Sequence, residues 1–393
     1  MTTRDTRPLE ALVRAGGFTL GELLVALTIA LVVSAGVVKL ADDARTFFLV
    51  QPEVMDVTQR ARAGVDLLTA ELTSAGAGAS LGADPGPLIR WIPPIVPSRY
   101  QGSAASASAT DPAGQVFSDR LTIITAAEDV PLVPVRGVMT GASAAVPIAA
   151  APGCPAGDTV CGFRAGQRIA VFDRTTAFDL ATVRTAAALP APPPGAAQLF
   201  HDASALAKAF REEDDARVVQ VRAVTYYHDA ARNQLRRITG PRADAPVLDD
   251  VVGLSFRYFG ARAPPTSPRP PTGVANCLFD IGGAPVLGAL PPDDGDQVEL
   301  TTALLTDGPW CGVGAGPGGR GGSGGGWVFD ADLYRLRRIR ITLRIQANPA
   351  WARGSDLNLF QRPGTGTAIR RLVPDYVITF DVSPRNLVVG GTT

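Results

Sequence analysis

The chain is poor in the side chains that carry most catalysis and metal binding. It has two histidines, His201 and His228, and its four cysteines form no Cys-x-x-Cys pair. The sequence contains no G-x-x-x-x-G-K-[ST] phosphate loop, and the glycine run 312–326 follows no predicted strand of a βαβ unit. We therefore expect no catalytic residue, no cofactor and no metal site, and we predict that the protein is not an enzyme.

Charge is also scarce. Lysine plus arginine and aspartate plus glutamate both total 37, so the net charge is zero, and charged residues make up 19% of the chain, below the usual value of about 25%. A chain without a basic excess is not expected to bind nucleic acid directly. Glycine (42 residues) and proline (33 residues) are abundant instead, which indicates many loops and turns over a β framework.

Acidic residues are clustered near residue 295. Asp293, Asp294, Asp296 and Glu299 lie close together in the sequence PDDGDQVE. Their spacing differs from the twelve-residue calcium loop of an EF-hand. We interpret the cluster as a solvated acidic loop.

One long apolar run lies near the amino terminus. Between Phe18 and Val38 the only charged residue is Glu22, and about 20 apolar residues suffice to span a bilayer. A carboxylate at the centre of such a helix costs about 2.5–3.5 kcal/mol on insertion scales, so Glu22 calls for a partner. A cleaved secretory signal is one alternative, but its apolar core is shorter and its small residues follow the core. An ordinary signal anchor is the other, and it explains neither Glu22 nor Gly16-Gly17.

The segment Gly17-Phe18-Thr19-Leu20-x-Glu22-Leu23 resembles the amino-terminal signal of type IV prepilins and type II secretion pseudopilins. In that family a prepilin peptidase cuts after the glycine and methylates the new amino terminus. The resemblance implies cleavage between Gly17 and Phe18, and it places the family's acidic residue at Glu22. There the carboxylate would pair with the α-amino cation of another subunit, because buried opposite charges compensate each other.

The resemblance also implies a domain organisation and a location. It implies a leader peptide over 1–17, a transmembrane and assembly helix over 18–80, and a periplasmic β-rich head over 81–393. Arginines 4, 7 and 14 in the leader are consistent with a cytoplasmic amino terminus. The expected location is the bacterial inner membrane, crossed once, and later the pilus fibre at the cell surface. The implied partners are prepilin peptidase, a major pilin, other minor pilins, the inner-membrane assembly platform and, before assembly, membrane lipid.

The four cysteines indicate an oxidising compartment. They allow three disulfide connectivities, and we favour Cys154–Cys161 and Cys277–Cys311 because each pair closes a local segment. The periplasm permits such bonds. A zinc site is the alternative, and it is disfavoured because neither histidine is near a cysteine in sequence.

Apolar periodicity predicts that the helix continues beyond the membrane run. Val54, Val57, Ala61, Val65, Leu68 and Leu72 recur at three- and four-residue steps, which is the pattern of an amphipathic helix. Pro52 is expected to kink this helix, or Gln51-Pro52 to interrupt it. We expect the helix to end within Ser74–Gly78 and its apolar stripe to pack on a sheet, with a free membrane-proximal stalk as the alternative.

Beyond residue 81 the sequence predicts strands, most of which alternate apolar and polar residues. The predicted strands are Arg120–Thr125, Gln167–Phe172, Val218–Tyr227, Gln234–Ile238, Val251–Phe259, Leu336–Gln346 and Tyr376–Val382. Residues 226–237 read as a hairpin with a polar turn. In the strand at 336–346, arginines 338, 340 and 344 are expected on a solvated face rather than on a nucleic-acid surface.

Three long segments are expected to be irregular: Gly82–Pro112, Ala186–Ala197 and Ala261–Gly326. Loops of this length are usually functional or disordered. We predict that the last one is a surface insertion, about 261–326, pinned partly by Cys277 and Cys311 and flexible over 316–326.

Together these patterns predict an α+β fold, with a long N-terminal transmembrane and amphipathic helix packed on a β-rich, pilin-like head with long loop insertions. This arrangement is similar to that of large PilW-type minor pilins. The predicted function is that of a minor pilin which is processed by prepilin peptidase and helps to initiate or cap fibre assembly. A type II secretion pseudopilin and a pilus-tip adhesin or ligand-binding head are the alternatives.

Overall fold

The computed structural model describes residues 17–100, 111, 114–127, 129–189, 196–203, 206–239, 243–291, 297–312 and 328–387. Over these residues the architecture is α+β, as predicted. One long apolar helix near the amino terminus joins a β-rich body of curled antiparallel sheets. The helix is α1, Leu20–Thr73.

The strands of the described part follow α1 in the chain. They are β1 Ile95–Val96, β2 Arg120–Ala126, β3 Val133–Pro134, β4 Val146–Ala149, β5 Arg168–Phe172, β6 Phe178–Ala188, β7 Ala196–His201, β8 Arg217–Asp229, β9 Gln234–Ile238, β10 Asp244–Asp249, β11 Val251–Ala261, β12 Gln297–Leu300, β13 Trp310–Gly312, β14 Val328–Asp330, β15 Leu336–Ile345 and β16 Tyr376–Val382.

The strands form a large sheet and a smaller one, with β13 and β14 paired separately. In the large sheet the order is β1-β2-β8-β5-β6-β7-β4, and β3, β9 and β10 join through β8 and β9. Strand β8 pairs with four other strands along its length, β2, β3, β5 and β9, and the sheet bends around it. The smaller sheet has the order β12-β11-β15-β16.

Helix α1 is continuous through Pro52, so the alternative of a break at Gln51-Pro52 is wrong. Proline removes one intrahelical hydrogen bond, but the helix is held on its carboxyl side by packed residues that begin at Val57. The helix ends where the sequence predicts. Ser74 caps it, and Gly76 follows with a positive φ of 74° and donates its N–H to the Ile124 carbonyl at 3.0 Å.

The carboxyl half of α1 packs on β15, β16 and β10, which confirms the predicted helix-on-sheet contact. Its buried residues are Val57, Ala61, Gly64, Leu68 and Leu72. At Gly64 the helix approaches closely, because a Cβ there would lie 2.7 Å from Cδ2 of Leu343 and 3.1 Å from Cδ2 of Leu248. This half of the helix is therefore part of the core of the body rather than a free stalk.

All seven predicted strands are present, with ends that differ by at most two residues. The predicted hairpin is β8–β9. In β15, Ile339, Ile341, Leu343 and Ile345 are buried while the arginines alternate with them, as the pattern predicts.

The irregular segments are more structured than the sequence predicts. Residues 82–100 include a 3-10 turn (Leu88–Arg90) and β1, and they bury Trp91 and Ile92 in the core. Strand β6 reaches Ala188 and β7 begins at Ala196, and Ala186, Ala187 and Ala188 pair with Leu199, Gln198 and Ala197. The expectation of an irregular segment is therefore wrong at 186–188 and 196–197, because proline and glycine mark turns without reporting how far the neighbouring strands extend.

The insertion at 261–326 is likewise partly ordered. Strand β12 pairs with β11, and β13 pairs with β14. Cys277, Leu278 and Phe279 are buried. The predicted flexible stretch 316–326 lies outside the described residues.

Candidate functional site

The first turn of α1 holds the Glu22 carboxylate in a capping box. Thr19 is the N-cap, and its backbone is extended at φ −77° and ψ 152°. Its backbone N–H and its hydroxyl both donate to Glu22 Oε2 at 3.0 Å, and Glu22 N–H donates to Thr19 Oγ1 at 3.2 Å. Thr-x-x-Glu before an apolar run is a sequence signature of a helix start, so the sequence carries a signal for the capping role of Thr19 as well.

The capping box leaves part of the carboxylate available. Both hydrogen bonds fall on Oε2, and among the described residues Oε1 accepts none. A carboxylate near the amino end of a helix also interacts favourably with the helix dipole. Glu22 can therefore stabilise the first turn and still present a negative charge to a second group.

Gly17 and Phe18 precede this turn in an open position. Phe18 is 88% exposed. A Cβ at Gly17 would meet no described atom within 4 Å, and the φ of Gly17 is outside the left-handed region. The fold itself does not require glycine here, in contrast to the crowded Gly64. Any requirement for glycine at residue 17 would therefore come from another molecule that binds this segment.

The amino half of α1 is exposed and apolar. Among the described helices, α1 alone is long and apolar enough to cross a membrane, and none of its most apolar stretch is buried. Residues 20–40 rise about 30 Å at 1.5 Å per residue, which matches the hydrocarbon thickness of a bilayer. Between Phe18 and Lys39, Glu22 is the one charged residue.

The head returns to α1 just beyond this exposed stretch. Arg370 donates to Asp43 Oδ1 at 3.3 Å, and Arg371 donates to Asp42 Oδ1 at 3.2 Å. Arg60, about five turns further along the helix, binds Asp250 at 2.7 Å. These ion pairs connect the helix to the head at two positions along the helix axis, near residues 42–43 and at Arg60.

The disulfides join Cys154 to Cys161 and Cys277 to Cys311, the pairing favoured from the sequence. They indicate an oxidising compartment. The second one joins Cys277 to Cys311 of β13, two parts of the same insertion. Arg335, which is 1% exposed and lies outside the insertion, fastens it to the head by donating to the carbonyls of Arg262, Ala263 and Gly288 at 2.6–2.8 Å.

Three carboxylates lie close together near this anchor, and the sequence did not single them out. Asp307, Asp330 and Asp332 place oxygens within 4.8 Å of one another. Asp330 accepts from the N–H groups of Gly308 and Asp332 at 2.7 and 2.8 Å, and Asp332 forms an ion pair with Arg335. Burial raises the pKa of Asp330 to about 7. The oxygens of Asp330 and Asp332 are engaged in folding the insertion.

The acidic cluster predicted as a solvated loop falls largely outside the described residues, which exclude Asp293, Asp294 and Asp296. Glu299 lies in β12 and forms a bidentate ion pair with Arg257 of β11. The side-chain hydrogen bond from Arg257 lowers the pKa of Glu299.

The arginine face of β15 is neutralised by neighbouring carboxylates. Arg338 and Arg340 donate to Asp381 at 2.6–2.9 Å, and Arg344 donates to Asp375 at 2.8 Å. The hydrogen bond from Arg340 lowers the pKa of Asp381 to about 2. This face consists of alternating charges across β15 and β16, so it has little net positive charge to offer a nucleic acid.

The histidines are used structurally. The ring of His201 lies 3.1 Å from the Ala203 carbonyl and 2.9 Å from the Ala144 carbonyl, and His228 Nε2 lies 2.9 Å from the Val251 carbonyl.

The spacing G-x-S-x-G, which marks the nucleophile turn of many serine hydrolases, occurs at Gly78–Gly82 and at Gly321–Gly325. The first follows the end of α1 instead of joining a strand to a helix as in a nucleophile turn, and the second lies outside the described residues.

No protein-family model, curated protein or solved structure matches the chain.

Proposed function

We propose that the chain is a minor pilin of a type IV pilus, cut by prepilin peptidase between Gly17 and Phe18 and methylated on Phe18. The observation that carries the proposal is the division of α1. Its carboxyl half is built into the head, and its amino half exposes an apolar surface about one bilayer long with one carboxylate in its first turn.

The exposed half of α1 suits two successive environments, the membrane and the fibre. Before assembly, lipid covers the apolar side chains of residues 20–40. After assembly, the helices of neighbouring subunits cover them, so the protein passes from the membrane into a fibre without exposing this surface to water. Burial of apolar area is worth about 25 cal/mol per Å² relative to water, which makes either cover strongly preferred over solvent.

The first turn supplies the specific contact. Cleavage at Gly17 creates an α-amino group on Phe18, and this group is a cation at neutral pH. In the fibre, Glu22 Oε1 of one subunit receives the amino terminus of a neighbour, while Oε2 stays on Thr19. The pair compensates two charges that would each be costly in an apolar bundle.

The proposal is tested by recovering surface fibres from cells that express the full-length chain. We expect head peptides of this chain in the sheared fibre fraction, identified by mass spectrometry, and loss of piliation when the chain is deleted. A Gly17→Val variant should stay in the inner membrane, since it cannot be cut.

A matched control is Gly141→Val in the head, because a Cβ there would meet nothing within 4 Å, and this variant should still reach the fibre. The proposal fails if piliated cells keep all of the wild-type chain in the membrane. Unchanged piliation with loss of protein secretion after deletion would instead identify a type II secretion pseudopilin.

A further inference from the structure

The connection between β15 and β16, residues 346–375, forms a loop at the end of the head nearest the exposed half of α1. We call it the basal loop. Its residues Arg370 and Arg371 reach Asp43 and Asp42 of the helix. These aspartates follow directly after the apolar stretch that ends at Leu40. The basal loop therefore lies level with the end of the 20–40 stretch.

The basal loop is a built structure. Its backbone is cross-linked by hydrogen bonds from Val373 N–H to the Ala352 carbonyl at 2.7 Å and from Asp375 N–H to the Leu359 carbonyl at 3.0 Å. Ala352 and Phe360 are fully buried within it. The backbone that carries the exposed side chains of this loop is consequently held in place.

Several of those exposed side chains are large and apolar. Ile369 is 85% exposed, and Leu357, Leu359 and Trp351 are exposed as well. Arg370 and Arg371 are adjacent to Ile369 in a short 3-10 turn, and Lys39 and Arg45 lie within three residues of Asp42 in α1. An exposed isoleucine next to cations, beside the end of an apolar helix, is the composition of a membrane-interface segment.

We propose that, before assembly, the basal loop rests on the lipid surface around the exit point of α1. The inference rests on the proposed membrane insertion of α1. Ile369 enters the boundary between headgroups and acyl chains, while Arg370 and Arg371 face anionic headgroups. The loop then acts as a second, weaker attachment that fixes the tilt and rotation of the head above the membrane.

Lipid is the occupant that the geometry favours over a neighbouring subunit. The loop lies at the level where the membrane helix leaves the hydrocarbon, so a bilayer around residues 20–40 meets this surface without any rearrangement. The excess of cations over Asp42 and Asp43 also complements anionic lipid.

The inference is tested on the full-length chain in vesicles of phosphatidylcholine and phosphatidylglycerol that contain lipid brominated near the headgroup. A tryptophan is introduced by Ile369→Trp, and the matched control is Ile281→Trp, at an isoleucine that is 72% exposed on the disulfide-bonded insertion. After subtraction of wild-type fluorescence, we expect bromine to quench the tryptophan at 369 and to leave the one at 281 unquenched. Adding Arg370→Gln and Arg371→Gln should reduce the quenching at 369.

Flotation of the vesicles distinguishes failure of the proposed membrane insertion of α1 from failure of the proposed lipid contact of the basal loop. If the chain does not float with lipid, the proposed membrane insertion is wrong and this inference falls with it. If the chain floats but the tryptophan at 369 is quenched no more than the one at 281, the basal loop does not touch lipid and this inference alone is overturned. Cross-linking of an unquenched position 369 to a second subunit would assign the surface to a protein interface instead.

Discussion

Glu22 combines two properties at one residue, a negative charge and a hydrogen-bond acceptor. The capping box needs the acceptor, since Oε2 receives the N–H and hydroxyl of Thr19. Pairing with the amino terminus of a neighbour needs the charge. The two roles can be separated because glutamine also serves at this position of a capping box.

We therefore predict opposite outcomes for two substitutions. Glu22→Gln keeps the helix start, membrane insertion and cleavage but reduces incorporation into fibres, because it removes the charge. Thr19→Ala weakens the helix start by about 1 kcal/mol but leaves the charge, so incorporation is largely kept. Quantification of the chain in sheared fibres checks both. Normal incorporation of the Glu22→Gln variant would show that Glu22 acts only as a cap.

A second prediction at the residue scale concerns Asp330. Burial raises its pKa from 3.8 to about 7, so the folded protein holds this proton more tightly than the unfolded chain does. The stability that this group contributes is complete below pH 3.8 and is lost as pH rises toward 7. Asp179, with a pKa raised by burial to about 6, acts in the same direction.

We expect the wild-type chain to lose about 2–3 kcal/mol from Asp330 between pH 5 and pH 8, since one pKa unit corresponds to about 1.4 kcal/mol. Guanidinium unfolding of the full-length chain in mild detergent measures this loss. In Asp330→Asn the same change of pH should cost correspondingly less. An identical pH dependence in both proteins would show that Asp330 titrates normally.

At the scale of elements, α1 depends on the close approach at Gly64. Gly64→Leu would force side-chain atoms into Leu343 and Leu248, and overpacking of this kind costs about 1–3 kcal/mol or more. Gly36→Leu is the matched control, because nothing lies within 4 Å of a Cβ there. Denaturant unfolding of the head should shift only for Gly64→Leu. Equal shifts would mean that α1 and the smaller sheet do not pack as described.

The sequence predicted the elements whose burial follows a simple period. Strand β15 alternates arginine with isoleucine or leucine, and α1 repeats apolar residues every three or four positions. Strand β6 was missed because Ala186, Ala187 and Ala188 give no period. They become strand by pairing with Leu199, Gln198 and Ala197 of β7, which is a contact that local sequence does not encode.

At the scale of the whole molecule, local features of the candidate site could be predicted from sequence, and features that depend on long-range contacts could not. Glycine, phenylalanine and glutamate at 17, 18 and 22 are local features, and the two disulfides close local segments, so both could be predicted from sequence. The anchoring by Arg335 could not, because nothing in LYRLRRIR distinguishes the fully buried arginine from its half-buried neighbours. The basal loop also depends on long-range contact, since Arg370 and Asp43 are 327 residues apart.

The processing of the amino terminus is the claim on which the whole account depends. The most direct test is the intact mass of the full-length chain isolated from membranes of cells with and without active prepilin peptidase. With the enzyme, we predict the loss of residues 1–17 and the gain of one methyl group on Phe18, and we predict no cleavage in Gly17→Val. A chain that keeps its leader in the presence of active peptidase, or a Gly17→Val chain that is cut normally, would contradict the account.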